Sequence, residues 1–113
     1  MAKSNKPIFW SLFAGGGTLA AFLAPVLVLL FLMVAMGHTP SLLSYANLHA
    51  FAASWLGKVF LLGVITLFLW HAAHRLRVTL HDFGLRQDAM VAAVVYSAAA
   101  AGTGLTLLYL LRI

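Results

Sequence analysis

The hydrophobic positions of this chain fall into three long blocks separated by two short, more polar stretches. The first block runs from Leu12 to Met36, the second from Ser54 to His74 and the third from Ala89 to Leu111. Each holds about 21 to 25 residues, enough for a helix rising about 1.5 Å per residue to cross a hydrocarbon layer of about 30 Å. No Asp, Glu, Lys or Arg occurs from Pro7 to Gly57. The pattern predicts an all-α integral membrane protein with three transmembrane helices and a single domain over 1–113. Pro25, in the middle of the first block, removes one helix hydrogen bond and predicts a bend there.

The connections carry the turn chemistry. "GHTPSLLSYANLHA" (37–50) has turn formers at Gly37, Pro40 and Ser41. Leu42, Leu43, Tyr45 and Leu48 can share the apolar side of a short interfacial helix. "RVTLHDFGLRQD" (77–88) contains Gly84 and both acids of the chain.

Composition agrees with this reading. Of 113 residues, 64% are hydrophobic and 8% charged, with a mean hydropathy of +1.02. A water-soluble domain carries about a quarter charged residues, so lipid must be the main solvent. The absence of cysteine excludes a disulfide, a thiolate-held metal or an iron–sulfur cluster ligated by this chain. The net charge of +5 reads as topology, not nucleic-acid binding, because the basic residues are few and flank the spans. Lys3 and Lys6 precede the first block, and Arg75, Arg77 and Arg86 flank the second connection. The first connection has no Lys or Arg; Lys58 lies a turn inside the second span, from which it can snorkel outward. Basic residues stay on the cytoplasmic side, so the N-terminus is expected in the cytoplasm and the C-terminus in the periplasm. Lys3 and Lys6 also suggest the start of a signal peptide, but the apolar block after them is too long, and the first span is expected to be retained.

Polar chemistry gathers in "FLWHAAHRLRVTLHDFG" (68–84), which holds three of the five histidines and one of the two acids. If the second helix continues through it, Trp70, His74, Arg77 and His81 fall at i, i+4, i+7 and i+11 and form one stripe, with His71 about 100° from Trp70. The expected topology brings Trp10 to the same membrane face as His74, Arg75, His81 and Asp82. The plainest account is that Arg and His at a helix end are interface anchors and orientation signals. A second account is chemical: a quinone has two carbonyl oxygens that need donors, and His, Arg and an indole N–H at the edge of the hydrocarbon supply donors and positive charge. His, with an ordinary pKa of about 6.5, can also carry the protons released by quinol oxidation. A third account is axial ligation of a b-type heme by His71 or His74. His38 and His49 read as solvated residues of the first connection.

"AGGG" (14–17) lacks the Gly-Lys-Ser/Thr of a phosphate loop and sits inside a span, so it reads as a surface for close approach by another helix or a flat ring. Ala98/Gly102 and Ala100/Gly104 repeat the small-xxx-small pattern in the third span. No acid lies inside any span, which counts against a small ion-coupled transporter. Three helices enclose little by themselves, which implies partner subunits.

At this level of detail the chain resembles the D subunit of bacterial fumarate reductase, a hydrophobic membrane anchor. The resemblance rests on "KPIFWSLFAGGG" (6–17), "APVLVLL" (24–30), "LSYANLHAFAASWLGKVFL" (43–61) and "LWHAAHRLRVTLHD" (69–82); the third span matches in hydrophobicity alone. The resemblance implies a bacterial inner-membrane anchor, not itself catalytic, that holds a flavoprotein and an iron–sulfur subunit to the membrane beside a second hydrophobic anchor. Flavin and iron–sulfur clusters would reside in those partners. It implies a shared menaquinone/menaquinol site with Trp10, Ala14, His74 and Arg75 as contributors, and no heme. Ala14 stands where a relative carries glycine, and Arg77 and Val78 replace a pair of histidines, so the resemblance does not carry over a complete proton path. His81 and Asp82 are secondary candidates for proton exit or partner docking. The other readings are a heme-b anchor of a succinate dehydrogenase and a small membrane transporter or structural protein.

Overall fold

The computed structural model describes residues 6–113, so Lys3 lies outside the described residues. Three long helices occupy the three apolar blocks: α1 (Lys6–Ala35), α3 (Trp55–Asp82) and α4 (Asp88–Arg112), with a shorter α2 (Tyr45–Ala53) between the first two. All three long helices are long and apolar enough to span a membrane. α3 runs eight residues past the expected end of its block at His74, because nothing between His74 and Asp82 breaks a helix. α1 continues as helix through Pro25.

The ends are set by local chemistry. α1 and α3 both close with a glycine in the left-handed region, Gly37 at φ 88° and Gly84 at φ 95°. After α3, Leu85 N–H donates to Leu80 O at 3.1 Å and Gly84 N–H to His81 O at 3.0 Å. These are the paired bonds of a Schellman cap, which satisfies carbonyls left over at a helix end. After α1, His38 N–H and Gly37 N–H make the same pair with Met33 O and Val34 O. The expected interfacial helix lies at 45–53, preceded by one turn of 3₁₀ helix at Ser41–Leu43. Serines punctuate it: the Ser44 hydroxyl accepts from Asn47 N–H at the start of α2, and the Ser54 hydroxyl accepts from Gly57 N–H at the start of α3.

α3 is the central helix, with α1 along one side and α4 along the other. Its contact with α4 is built from Ala73 of α3 and Val91, Val95 and Ala99 of α4, flanked by Leu69, Trp70, Leu80 and Tyr96. Val91, Val95 and Ala99 repeat every four residues and form a single face of α4. Lipid gives no hydrophobic drive for helix association, so close packing of small residues must supply it. Gly102 continues that face against Leu69, while Ala98, Ala100 and Gly104 are exposed. Of the two small-residue pairs expected to pack in the third span, one member therefore does so.

The α1–α3 contact depends on Gly16. A Cβ there would lie 2.5 Å from Leu67 O and 2.7 Å from His71 Cβ, and one at Gly17 would lie 2.9 Å from His71 Cε1. The glycine tract thus seats the backbone and imidazole of α3. Most remaining large side chains of α1, among them Phe22, Val28, Leu29 and Phe31, are exposed, presenting an apolar surface suited to lipid or another membrane protein.

Candidate functional site

The polar residues of α3 meet one end of the bundle on two sides. Toward α1, the His71 ring lies flat on Phe13, centroids 4.5 Å apart and planes 12° from parallel. His71 Nδ1 is 2.9 Å from Phe13 O; since a carbonyl only accepts, Nδ1 carries the hydrogen. His74 meets the same phenyl ring at 4.7 Å and 58°. Phe13 therefore wedges between two histidines one turn apart.

Toward α4, His74 Nδ1 is 2.9 Å from the Tyr96 hydroxyl. Trp70 stacks on the Tyr96 ring at 5.9 Å and 20°, and its indole N–H donates to Thr103 Oγ1 at 3.3 Å. Arg77 donates from Nη1 to Tyr96 Oη at 3.4 Å and pairs in bidentate fashion with Asp88, Nε to Oδ1 at 2.9 Å and Nη2 to Oδ2 at 2.5 Å. Its guanidinium carbon is 5.7 Å from the Tyr96 ring centroid. The pair spans the α3–α4 turn, with side chains 32% and 43% exposed. Its attraction is therefore screened by water, and orientation is its main contribution.

Two cavities touch His74. A small one of about 20 Å³, room for roughly one water, is lined by Leu12, Phe13, Trp70, His74 and Tyr96. A much larger open cleft of about 410 Å³ is lined by His74, Arg77, Val78, His81 and Asp88. His74 is the group common to both.

The expected stripe Trp70–His74–Arg77–His81 lies on one continuous helix. Trp70, His74 and Arg77 converge on Tyr96, and His81 lines the cleft with His74 and Arg77. Trp10 is 68% exposed on α1, one turn before Phe13. The antiparallel register sets Gly16 against Leu67 and Phe13 against His71 and His74; Trp10 precedes that contact along α1, and Arg75 and Val78 follow it along α3. Ala14 is half-buried next to Phe13, and Arg75 is exposed. Asp82, the last residue of α3, is exposed and lines neither of these two cavities; the acid at the cleft is Asp88. Among the described residues no group of three metal-ligating side chains occurs.

Tyr96, Phe13 and Asp88 were not singled out as site residues by the sequence. Tyr96 carried a signal: it is the lone aromatic in "AAVVYSAAAA" (92–101), and a polar group at membrane depth warrants a functional hypothesis. Phe13 carried none, since phenylalanine in an apolar helix is unremarked.

The family model for the D subunit of fumarate reductase matches residues 1–111. The chain belongs to the fumarate reductase D-subunit family. It is 34% identical over 113 residues to the fumarate reductase D subunit of Aliivibrio fischeri (strain MJ11), covering 98% of this chain and 94% of that one. The protein of the same description from Vibrio parahaemolyticus serotype O3:K6 is also 34% identical, over 98% of this chain and 90% of its own. That from Vibrio vulnificus (strain YJ016) is 40% identical over 82 residues, 71% of this chain and 66% of its own. As a member of this family with three apolar spanning helices, the chain is a multi-pass bacterial inner-membrane component of fumarate reductase.

Proposed function

We propose that this protein anchors the flavoprotein and iron–sulfur subunits of fumarate reductase to the membrane. In this reading it pairs with a second hydrophobic anchor and contributes one wall of a menaquinol-oxidising site. The observation that supports the reading is the Phe13 wedge between His71 and His74: Trp10 lies one helical turn before Phe13 on α1, and Arg75 follows His74 on α3. Trp10 and Arg75 are exposed there, as groups completing a pocket with a partner chain must be. His74 and the Trp10 indole donate hydrogen bonds to a quinone oxygen, Arg75 supplies positive charge, and Ala14 lets a flat ring approach α1. The N-terminus is cytoplasmic and the C-terminus periplasmic, so this wall faces the cytoplasm with the reducible partners. The chain performs no fumarate chemistry, and heme has no role; a b-type Soret band in the purified complex would overturn the latter.

The test is the complex assembled with its cognate subunits. His74→Ala and Arg75→Ala each lower menaquinol-linked turnover by about tenfold or more, the scale of a lost charge-assisted hydrogen bond, while fumarate reduction by an artificial donor is unchanged. Undiminished menaquinol-linked turnover in both variants refutes the site.

A further inference from the structure

Which nitrogen of His74 carries the hydrogen follows from its neighbours. His74 Nδ1 lies 2.9 Å from Tyr96 Oη, and Arg77 Nη1 donates to the same oxygen at 3.4 Å. Arg77 has no acceptor. Among the described residues the Tyr96 hydroxyl hydrogen therefore has one hydrogen-bond partner, His74 Nδ1. Basicity favours the same direction, because an imidazole nitrogen, with an ordinary pKa of about 6.5, is a better acceptor than a phenol oxygen. The arginine adds to this: a donor into Oη polarises the O–H outward and weakens that oxygen as an acceptor. Tyr96 O–H thus donates to a bare Nδ1, and the ring hydrogen of neutral His74 sits on Nε2.

Packing holds each part of the chain in place. The Tyr96 ring stacks on Trp70 at 5.9 Å, Asp88 fixes Arg77 by two bonds, and Phe13 lies against the His74 ring at 4.7 Å. One turn away the assignment is reversed, since His71 Nδ1 meets the Phe13 carbonyl and must carry the hydrogen itself. The two histidines around Phe13 hold opposite tautomers.

We infer that Tyr96 is a positioning residue for His74: its hydroxyl, backed by Arg77 and Asp88, fixes the tautomer whose Nε2–H donates to a quinone oxygen. The inference rests on the quinol-site reading above. A carbonyl oxygen only accepts, so the nitrogen that meets it must bear the hydrogen; the other tautomer would set a lone pair against that oxygen. The hydrogen bond at one imidazole nitrogen decides the state of the other. Tyr96 acts through the imidazole and needs no contact with the quinone.

The test is the nitrogen spectrum of the assembled complex without quinone, with histidine ¹⁵N-labelled at δ1 alone. At about pH 8.5, two units above the ordinary histidine pKa, the two rings are compared as neutral groups. The His74 and His71 resonances are identified by their loss in His74→Asn and His71→Asn. His74 Nδ1 is expected without a bonded hydrogen and His71 Nδ1 with one; a protonated His74 Nδ1 overturns the inference. Tyr96→Phe keeps the ring against Trp70 and removes only the hydroxyl, so the His74 resonance must shift while that of His71 stays; an unmoved His74 resonance also overturns it. In turnover, Tyr96→Phe is expected to raise KM for menaquinol about two- to tenfold, the scale of one weakened hydrogen bond, with kcat and artificial-donor turnover unchanged. An unchanged KM alongside a slowed His74→Ala refutes the positioning role and leaves the quinol site standing, whereas full activity in His74→Ala refutes the site and the role together. Should Tyr96→Phe fail to assemble, the protonation of His74 Nδ1 in the native complex decides.

Discussion

Gly16 and Gly15 are neighbours with opposite expected responses to the same added methyl group. At Gly16 the new Cβ would sit 2.5 Å from Leu67 O and 2.7 Å from His71 Cβ, against an ordinary contact of about 3.5 Å. Leu67 O is backbone within α3 and cannot swing aside, so the helices must part by about 1 Å. That separation stretches the His71–Phe13 bond from 2.9 Å to about 3.9 Å, beyond hydrogen-bonding range. An interhelical hydrogen bond in a membrane contributes about 0.6 kcal/mol on average, and overpacking costs about 1–3 kcal/mol. Gly16→Ala is therefore expected to destabilise by roughly 2–3 kcal/mol. At Gly15 the nearest atom to the new Cβ is Leu67 Cδ2 at 4.0 Å, an ordinary contact. Gly15→Ala should be neutral or stabilising by up to about 1 kcal/mol, since glycine in a helix interior pays extra chain entropy. Unfolding of the assembled protein in mixed micelles at rising SDS fraction, followed by tryptophan fluorescence, measures both. Equal midpoints for Gly16→Ala and the native chain, or a Gly15→Ala loss as large as that of Gly16→Ala, would refute the glycine-seat account of the α1–α3 contact.

Further outcomes follow from other contacts. Gly84→Ala places a side chain at φ 95° and should cost about 1–2 kcal/mol through backbone strain alone, read in the same titration. Trp70→Phe loses the indole bond to Thr103 but keeps the ring against Tyr96; Thr103 still donates to Ala99 O, so no group is orphaned and the loss should be near 0.6 kcal/mol. A cost of several kcal/mol would mean the indole N–H has another partner in the assembled complex. For orientation, a reporter active only in the periplasm should be active when fused after Ile113 and inactive when inserted in the 83–87 turn; the reverse pattern would invert the bundle.

How much of this was legible in the sequence differs between the fold and the site. Lipid offers no hydrogen bonds to the backbone, so spanning segments must be helices, and their apolar runs stand out in any reading of the chain. Gly84 announced its turn because few residues other than glycine adopt a positive φ cheaply. The stripe from Trp70 to His81 followed from helical period alone. The length of α3 was underestimated because hydropathy falls after His74, although the helix persists: Arg77 finds Asp88 and Tyr96 across the interface.

The chain by itself determined that three helices cross the membrane and that polar chemistry collects at one end of the second. It also determined that the glycine tract in the first helix is for close approach, because each follows from period, composition and the cost of unpaired backbone in lipid. Which side chains meet was decided only by tertiary structure. Register between α1 and α3 lodged Phe13 between His71 and His74, and the α3–α4 turn brought Asp88 to Arg77 and the Tyr96 hydroxyl to His74. Helix–helix register is set by the shape of small and large side chains across the interface, a pairwise property that no single helix carries in its own pattern.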